Sequence, residues 1–477
     1  MELDPLLISR IQFAFVVSFH IIFPAFTIGL ASYIAVLEGL WFKTGNPVYL
    51  RLSKMWIKVF AVSFGMGVVS GIVMAFQFGT NWSELSYASA NFLGPVLSYE
   101  VVTAFFLEAT FLGVLLFGRS KLPQGAHLLA AIMMALGTLI SSFWILSANS
   151  WMQTPDGIVV RDGIVHVTSW LQAIFNPSFP YRFAHMVVAA YLTTAFFVIG
   201  VSAWYLLRQR SEQYARVMFS MTLWLVALLA PLQVLIGDLH GLDTFEHQPA
   251  KIAAMEGHWD TQRGAPLILF AIPDSAAETN HLQIGIPRLA SLILTHDLDG
   301  EVPGLREWAP EDRPPVGPVF WAFRVMVAIG FAMLGVAALG LWLRWKGRLF
   351  DTPWFQKLCL AMMPTPFIAV LGGWLTTEIG RQPWVIYGIM RTEDAISPSL
   401  TGGMALTSLL VFIVVYAIIF VAGGYYISLI LAGGPDREEL TEDERGGRAA
   451  RPLSAVDSPF ERQAGDAGRR GTTPRGS

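Results

Sequence analysis

Few ionisable side chains interrupt the long apolar runs of this chain, and those that do are of types that bind iron or carry protons. The stretch GGWLTTEIGRQPW, Gly372 to Trp384, places Glu378 and Arg381 at the end of a membrane-length apolar run. Ionisable groups at such a depth are costly and therefore usually functional. Glu378 and Arg381 stand three residues apart, so on a continuing helix they share a face and pair before Pro383 ends or bends it. The plain reading is a structural ion pair capping a helix. The chemical reading is a carboxylate that meets a metal or a proton, beside a guanidinium that holds an anionic group.

Two histidines, His20 and His185, lie inside membrane-length runs among Phe, Val, Ile and Ala, where either could equally be a hydrogen-bonded structural residue. Depth favours ligation. Both fall in the outer half of their runs, as do Arg324 and Met326 in PVFWAFRVMV and Glu378 at the outward end of its own run. A methionine at helical spacing is ordinarily core packing, and only its place in this layer singles out Met326. His20, His185, Met326 and Glu378 can all ligate iron, with Arg324 and Arg381 available for anionic groups such as propionates. Imidazole with thioether makes a low-spin electron-transfer haem, whereas a lone His or carboxylate leaves iron open to oxygen. Spacing does not say which ligand pairs with which.

Glu100 and Glu108 sit on one run, eight residues apart, which on a regular α-helix is about 80° around and about 12 Å along. Glu100 alone could be interfacial. Glu108, in AFFLEATFLG, is too deep for that, and the pair reads as a two-step proton relay toward a buried reaction. In HQPAKIAAMEGHW, Lys251 and Glu256 lie five apart on a segment that looks helical and amphipathic. Such a pair is usually a solvated surface, yet beside a lipid-soluble redox substrate it could bind a quinol head group and take its protons. Asp238 in GDLHG lies beside the same segment, and NSWMQTPDG, Asn149 to Gly157, reads as a turn packing on the outer face.

The elements that must position these residues are membrane helices. Of 477 residues, 54% are hydrophobic and 14% charged, with mean hydropathy +0.52, against roughly one quarter charged in a soluble domain. The single cysteine, Cys359, excludes disulfides, iron–sulfur clusters, thiolate zinc and C-x-x-C-H haem attachment within the chain. The net charge of −3 says little when charges are divided between two sides of a bilayer. Runs of about 20 apolar residues span a bilayer, and nine are predicted: Ile11 to Phe42, Met55 to Gly79, Val96 to Gly118, His127 to Ala148, Ala184 to Leu207, Val217 to Leu239, Val319 to Leu343, Leu358 to Glu378 and Gly403 to Leu431. The chain start lacks a basic n-region and a small-residue cleavage site, so the first run is expected to be retained.

Odd-numbered connections hold a cluster of bases, among them Lys43, Arg51, Lys54, Lys58, Arg119, Lys121, Arg208, Arg210, Arg344, Lys346 and Arg348. Their acids are Glu212 and Asp351, while the second, fourth and eighth connections mix acids and bases. The positive-inside rule then puts the N-terminus outside and the C-terminus in the cytoplasm. The fold expected is all-α and polytopic: spans one to six over 1–239, an outer loop at 240–318, and spans seven to nine over 319–432. A loop of that length is functional or disordered, and Trp259, Leu267, Ile268 and Phe270 argue for an ordered binding element. The tail, 433–477, is too polar and Gly/Pro-rich to fold and is expected to be a disordered cytoplasmic extension. No inverted repeat of the transporter kind stands out.

Taken together, these motifs resemble subunit I of the cytochrome bd family of quinol oxidases. The matching segments are SFHIIFP at His20, EVVTAFFLEATF at Glu100 and Glu108, NSWMQTP at Asn149, YRFAHM at His185, KIAAME at Lys251 to Glu256, FRVMV at Arg324 to Met326, and GWLTTEIGRQPW at Trp374 to Trp384. By resemblance, His185 and Met326 are axial ligands of a low-spin haem b558, and Lys251 with Glu256 forms the quinol site. The resemblance also gives His20 and Glu378 to the two remaining haems, haem b595 and haem d or a third haem b in its place. Glu100 and Glu108 then look like the proton path, with Trp374, Arg324 and Arg381 as supporting groups. The short outer loop resembles the short-loop, often cyanide-insensitive branch. The implied activity is quinol:O2 oxidoreduction in a bacterial cytoplasmic (inner) membrane, generating a proton motive force without pumping. The implied partners are subunit II, with a small single-helix subunit as a further candidate, ubiquinol or menaquinol, O2 and membrane lipid, and no nucleic acid. The adjacent-histidine copper site of haem–copper oxidases is absent from the sequence. Two other readings remain: a haem-bearing electron relay anchoring a quinone-linked dehydrogenase, and a haem-free proton-coupled transporter using Glu100, Glu108 and Glu378.

Overall fold

Asp4 starts the first helix by accepting the Leu6 amide, with Pro5 preset in the first turn, and Gly45 ends it in the left-handed conformation at φ 66°. Asn46 and Pro47 repeat the start signal at once, so the first two helices meet in a tight turn. The computed structural model describes residues 3–437. Among them are nine helical segments long and apolar enough to cross a membrane: span 1 (Pro5–Thr44), span 2 (Pro47–Thr80), span 3 (Ser83–Phe117), span 4 (Gln124–Gln153), span 5 (Trp170–Leu207), span 6 (Glu212–His247), span 7 (Pro310–Trp345), span 8 (Pro353–Ile379) and span 9 (Gly402–Gly433). The architecture is the all-helical polytopic one expected. Of the tail expected to be disordered, residues 438–477 lie outside the described residues.

The helices run beyond the apolar windows. Span 6 continues to His247, so Asp238 and His240 lie on a helix rather than at its end. Span 8 is broken after Met362, where Pro364 and Pro366 interrupt the hydrogen-bond ladder, and resumes at Thr365. Span 3 contains a π turn, Val101–Phe105, between Glu100 and Glu108. A π turn takes up one extra residue, so the angular separation of the two glutamates falls from about 80° to roughly 20°. The relay expected on neighbouring faces therefore occupies one stripe.

Taking the basic connections as the cytoplasmic side, packing differs between the two halves. The cytoplasmic half is filled by Trp56, Phe60, Phe196, Tyr205, Phe219 and Phe355, all buried in one contiguous cluster. Span 1 is central, touching spans 2, 4, 5 and 9, and spans 5 with 6 and 7 with 8 pair closely.

The outer side carries short strands. β1 (Ile158–Arg161) and β2 (Ile164–Val167) form a hairpin between spans 4 and 5. The loop between spans 6 and 7 is ordered, as expected. It holds a helix (Pro249–Glu256), then β3 (Gln262–Arg263), β4 (Leu267–Asp274), β5 (Thr279–Ile286), a helix (Leu289–Thr295) and β6 (Glu301–Val302). β4 pairs antiparallel with β5, and β3 with β6. Ile252, Met255, Trp259, Leu294 and Val302 bury together on Val316 and Val319 of span 7, which fixes the loop to the bundle. Phe270, expected to help order the loop from within, is instead half-exposed and rests on Trp321, ring centroids 5.2 Å apart.

One charged cluster ties the cytoplasmic ends of spans 1 to 4. The Glu38 carboxylate, fully buried, accepts from Arg119 and from the Ser53 hydroxyl, and His127 Nδ1 stands 3.4 Å away. Removing one partner of a buried ion pair strands the other charge, at about 3–5 kcal/mol. Arg119→Met is therefore expected to lower the thermal unfolding temperature of the detergent-purified protein, and Glu38→Gln in the same chain to restore part of it. An unchanged melt for Arg119→Met would show that Ser53 and His127 suffice to hold Glu38.

Candidate functional site

A cavity of about 1710 Å³ opens where the outer halves of the spans diverge, well above the roughly 300–1,000 Å³ of a pocket for one small ligand. His20, Glu100, Glu108, His185, Lys251, Glu256, Arg324, Met326, Trp374, Glu378 and Arg381 all line it, as do Asp238 and Asn149. Residues far apart in sequence are thus gathered around one space by spans 1, 3, 5, 7 and 8 and by the outer loop.

Glu378 ends the last turn of span 8, and the helix stops at Ile379, so Arg381 reaches it from the following turn rather than from a continuing helix. The two still pair, Arg381 Nη2 donating to Oε2. The other oxygen, Oε1, accepts from Asn149 Nδ2 at 2.8 Å and from Gln153 Nε2 at 3.4 Å. Asn149 and Gln153, one turn apart on span 4, belong to the site rather than to outer-face packing. The NSWMQTP segment was the signal for them, and amides four apart on a helix share a face.

Gln153 is also a junction. Its Oε1 accepts from Lys251 Nζ at 2.6 Å, and its own carbonyl accepts from Gln248 Nε2 at 2.9 Å. Lys251 donates a second bond to Gln248 Oε1. Burial, together with the positive charge of Arg182, pushes the Lys251 ammonium well below its ordinary range, against the opposing pull of Glu378. The helix carrying Lys251 and Glu256 is buried from Ala250 to Glu256, which overturns the solvated-surface reading. Lys251 and Glu256 do not bond to each other. Glu256 Oε2 accepts from Arg324 Nη2 at 2.8 Å, and Arg324 Nε donates to the Ile268 carbonyl at 2.7 Å. Arg324, expected to serve an anionic group from outside the chain, spends these donors on the outer loop.

Donors without partners lie elsewhere. Arg381 Nε and Nη1 are buried and unbonded, as is His185 Nδ1. Arg182, three residues before His185 in YRFAHM, is buried, gives Nε to Ser178 at 3.3 Å, and lines the same cavity. It was missed in the sequence as a connection residue, although its spacing places it one turn from His185. Gln233 of span 6 donates to the His185 carbonyl at 3.2 Å and keeps its own Oε1 unpaired, while the His240 ring meets the His185 ring edge-on at 5.4 Å. His20 Nδ1 lies 2.9 Å from Ser70 Oγ, which fixes the ring and leaves Nε2 free of that bond. A Cβ added at Gly373 would stand 2.9 Å from Met326 Sδ, so the thioether passes close to span 8 at this glycine.

Glu100 accepts from Ser141 Oγ at 2.7 Å, and Glu108 packs on Gly137, where a Cβ would approach its Cγ to 2.8 Å. Span 4 thus approaches span 3 closely at both glutamates. Among the described residues no three His, Cys, Asp or Glu side chains stand together as an ion cage would require. Single ligands spread around a large cavity, with unpaired buried guanidinium and imidazole nitrogens, instead suit planar iron macrocycles bearing carboxylates. The residues present fit haem.

Arg324→Met would leave Glu256 buried without its partner and release β4 at Ile268. Faster amide hydrogen exchange is expected over 267–272, with the span 5 and 6 amides unchanged; uniform exchange in both proteins would show that the hairpin is held by other contacts.

A family profile described as cytochrome bd terminal oxidase subunit I matches residues 8–435. The chain is 37% identical over 428 residues to the cytochrome bd ubiquinol oxidase subunit 1 of Bacillus subtilis (strain 168), covering 87% of this chain and 91% of that one. It is 33% identical over 502 residues to the cytochrome bd-II ubiquinol oxidase subunit 1 of Escherichia coli (strain K12), covering 91% and 97%. Among solved structures, the bd oxidase from Geobacillus thermodenitrificans superposes with a TM-score of 0.84 at 29% identity, over 91% of this chain and 100% of that chain. A nine-span bundle with this cavity and these matches along nearly its whole length belongs to the cytochrome bd terminal oxidase subunit I family.

Proposed function

We propose that this chain is the haem- and quinol-bearing subunit of a two-subunit terminal oxidase, with subunit II as its partner. It oxidises ubiquinol or menaquinol at the outer face and reduces O2 to water at a pair of high-spin haems. The observation that carries this reading is the single cavity shared by the iron-ligating residues, the acidic stripe and the Lys251 site. His185 and Met326 would hold the low-spin haem b558. His20 and Glu378 would hold one high-spin haem each, haem b595 and either haem d or a third haem b. Arg381, with two unpaired buried donors, and Arg182, which lines the cavity, would serve the propionates, and Trp374 lines the same cavity. The short loop between spans 6 and 7 supports assignment to the short-loop, often cyanide-insensitive branch.

Bound haems supply one-electron transfer and oxygen reduction, and the protein supplies protons and position. A neutral Lys251 amine gives its two N–H groups to Gln153 and Gln248, which leaves its lone pair to accept a proton from a quinol hydroxyl. Asp238 and the Glu256–Arg324 pair border the same space. Protons taken from quinol leave on the outer side, while those for water travel along Glu108 and Glu100 from the cytoplasmic side. A charge difference follows without a pump.

A reduced-minus-oxidised spectrum of the purified complex, followed by carbon monoxide addition, tests the assignment. A low-spin b signal with a CO-reactive long-wavelength band supports haem d; CO reactivity with b bands alone supports a third haem b. A full haem complement without CO reactivity would leave only an electron relay, and a complex without haem would leave the transporter.

Lys251→Met is expected to lower quinol oxidation by roughly 10²-fold or more, the usual worth of a positioned base, with the haem spectrum unchanged. Because burial lowers the Lys251 pKa, the base is lost as pH falls through that lowered value. The acid limb of the pH–rate profile should therefore be present in the parent enzyme and absent in the variant. An identical acid limb in both would remove Lys251 from the base role.

A further inference from the structure

The hairpin β4–β5 carries its apolar residues on the wrong side for a soluble loop. Ile268 and Ala271 bury against Phe320 of span 7, as a one-sided hairpin requires. The opposite face, however, exposes Phe270, Ile272, Leu282 (72%), Ile284 (62%) and Ile286. A bulge on β4 between Ile268 and Phe270 breaks the strict alternation, leaving Leu269 on the cavity and turning Phe270 outward, and a second irregularity on β5 falls at Leu282 and Gln283. Leu282 is held outward with φ 52°, a left-handed conformation that costs a leucine energy and that packing within the chain does not repay. Contiguous apolar exposure of this kind marks contact with something apolar.

What covers it follows from continuity. Phe270 meets Trp321, and Trp321 opens an exposed apolar stripe of span 7 that continues through Val325 and Phe331 beside the cavity; apolar surface left exposed on a membrane span is the kind that lipid covers. Tryptophan at the end of a span marks the level of the membrane interface. The hairpin tip differs: Asp274 pairs with His281, and Glu278 pairs with Arg306 and Arg313, all of which need water or polar surroundings. Both strands also have an unpaired edge, which cannot enter the hydrocarbon core.

We propose that the β4–β5 hairpin lies in the outer leaflet, its apolar face at the headgroup–acyl boundary and its charged tip in water. Its root is tied to Arg324 through the Ile268 carbonyl, and Leu267 and Leu269 line the cavity. The lipid contact is thereby mechanically joined to the rim of the Glu256 site. The inference requires only the membrane bundle and not the assignment of haems or quinol.

The test uses the whole complex in nanodiscs of phosphatidylethanolamine and phosphatidylglycerol, with a polarity-sensitive fluorophore attached through L282C, I284C or, at the tip, A277C. Unsubstituted complex, whose Cys359 is buried, gives the labelling background, and an unchanged haem spectrum certifies each variant. L282C and I284C should give blue-shifted emission, insensitivity to iodide, and quenching at least about twofold stronger by shallow than by deep spin-labelled acyl chains, as expected for burial of about 5–10 Å. A277C should be quenched by iodide and not by lipid. Iodide quenching of L282C and I284C equal to that of A277C would place the face in water and overturn the proposal. Shielding from both quenchers would overturn it in favour of a protein partner.

Discussion

The structure depends on keeping charge inside an apolar bundle without leaving it unbalanced. Glu378 is the hardest case: it is a carboxylate at the end of a span, and it holds its position with three side-chain donors, from Arg381, Asn149 and Gln153. Two of the donors sit on one turn of span 4, and the third, Arg381, on the turn that follows span 8. Much of the outer architecture can be understood as the means of bringing span 4, span 8 and the Lys251 helix to that carboxylate. Polar networks of this kind are safe only when nearly complete, and here two members, Arg381 Nε and Nη1, are buried without a partner.

The same constraint explains why packing and function are divided between the two halves. A cytoplasmic half filled with Trp56, Phe60, Phe196 and Phe355 holds helix positions firmly, because close-packed aromatic layers resist displacement. The outer half, whose buried clusters are smaller and gather under the outer loop and hairpins, can then keep a large cavity open. Near the boundary of the two lies the π turn of span 3, which aligns Glu100 and Glu108 without bending the helix out of contact with span 4. Gly137 and Ser141 are the span 4 counterparts, one giving space and the other a hydroxyl.

The membrane class, the nine spans and the layer of ionisable residues were legible because each rests on a strong local signal. Apolar runs of bilayer length are hard to produce by chance, and a carboxylate within one is conspicuous. Three things were not legible. The π turn at Val101–Phe105 has no proline or glycine to announce it, so the helical angle between the glutamates was read as regular. The partners of Lys251 and Glu256 depend on how the outer loop folds onto spans 4 and 7, and no periodicity within KIAAME reports that. Arg182 and Gln153 were hidden by context, since both lie where a span meets a connection and could equally have faced water. In each case the missing information was tertiary.

Gln153 stands between two of the proposed centres. Its amide oxygen accepts from Lys251 while its amide nitrogen faces Glu378, so one side chain touches both the proposed quinol base and the proposed haem ligand. An amide cannot pass a proton along as a carboxylic acid or imidazole does, because it does not ionise near neutral pH. It can transmit position and polarity. Protons taken from quinol by Lys251 would therefore have no path through Gln153 toward the oxygen-reducing side, even though the two groups are only one side chain apart. On the proposed reading, that separation is what obliges protons from quinol to leave outward while protons for water arrive along the Glu108 stripe, and the charge difference across the membrane rests on it.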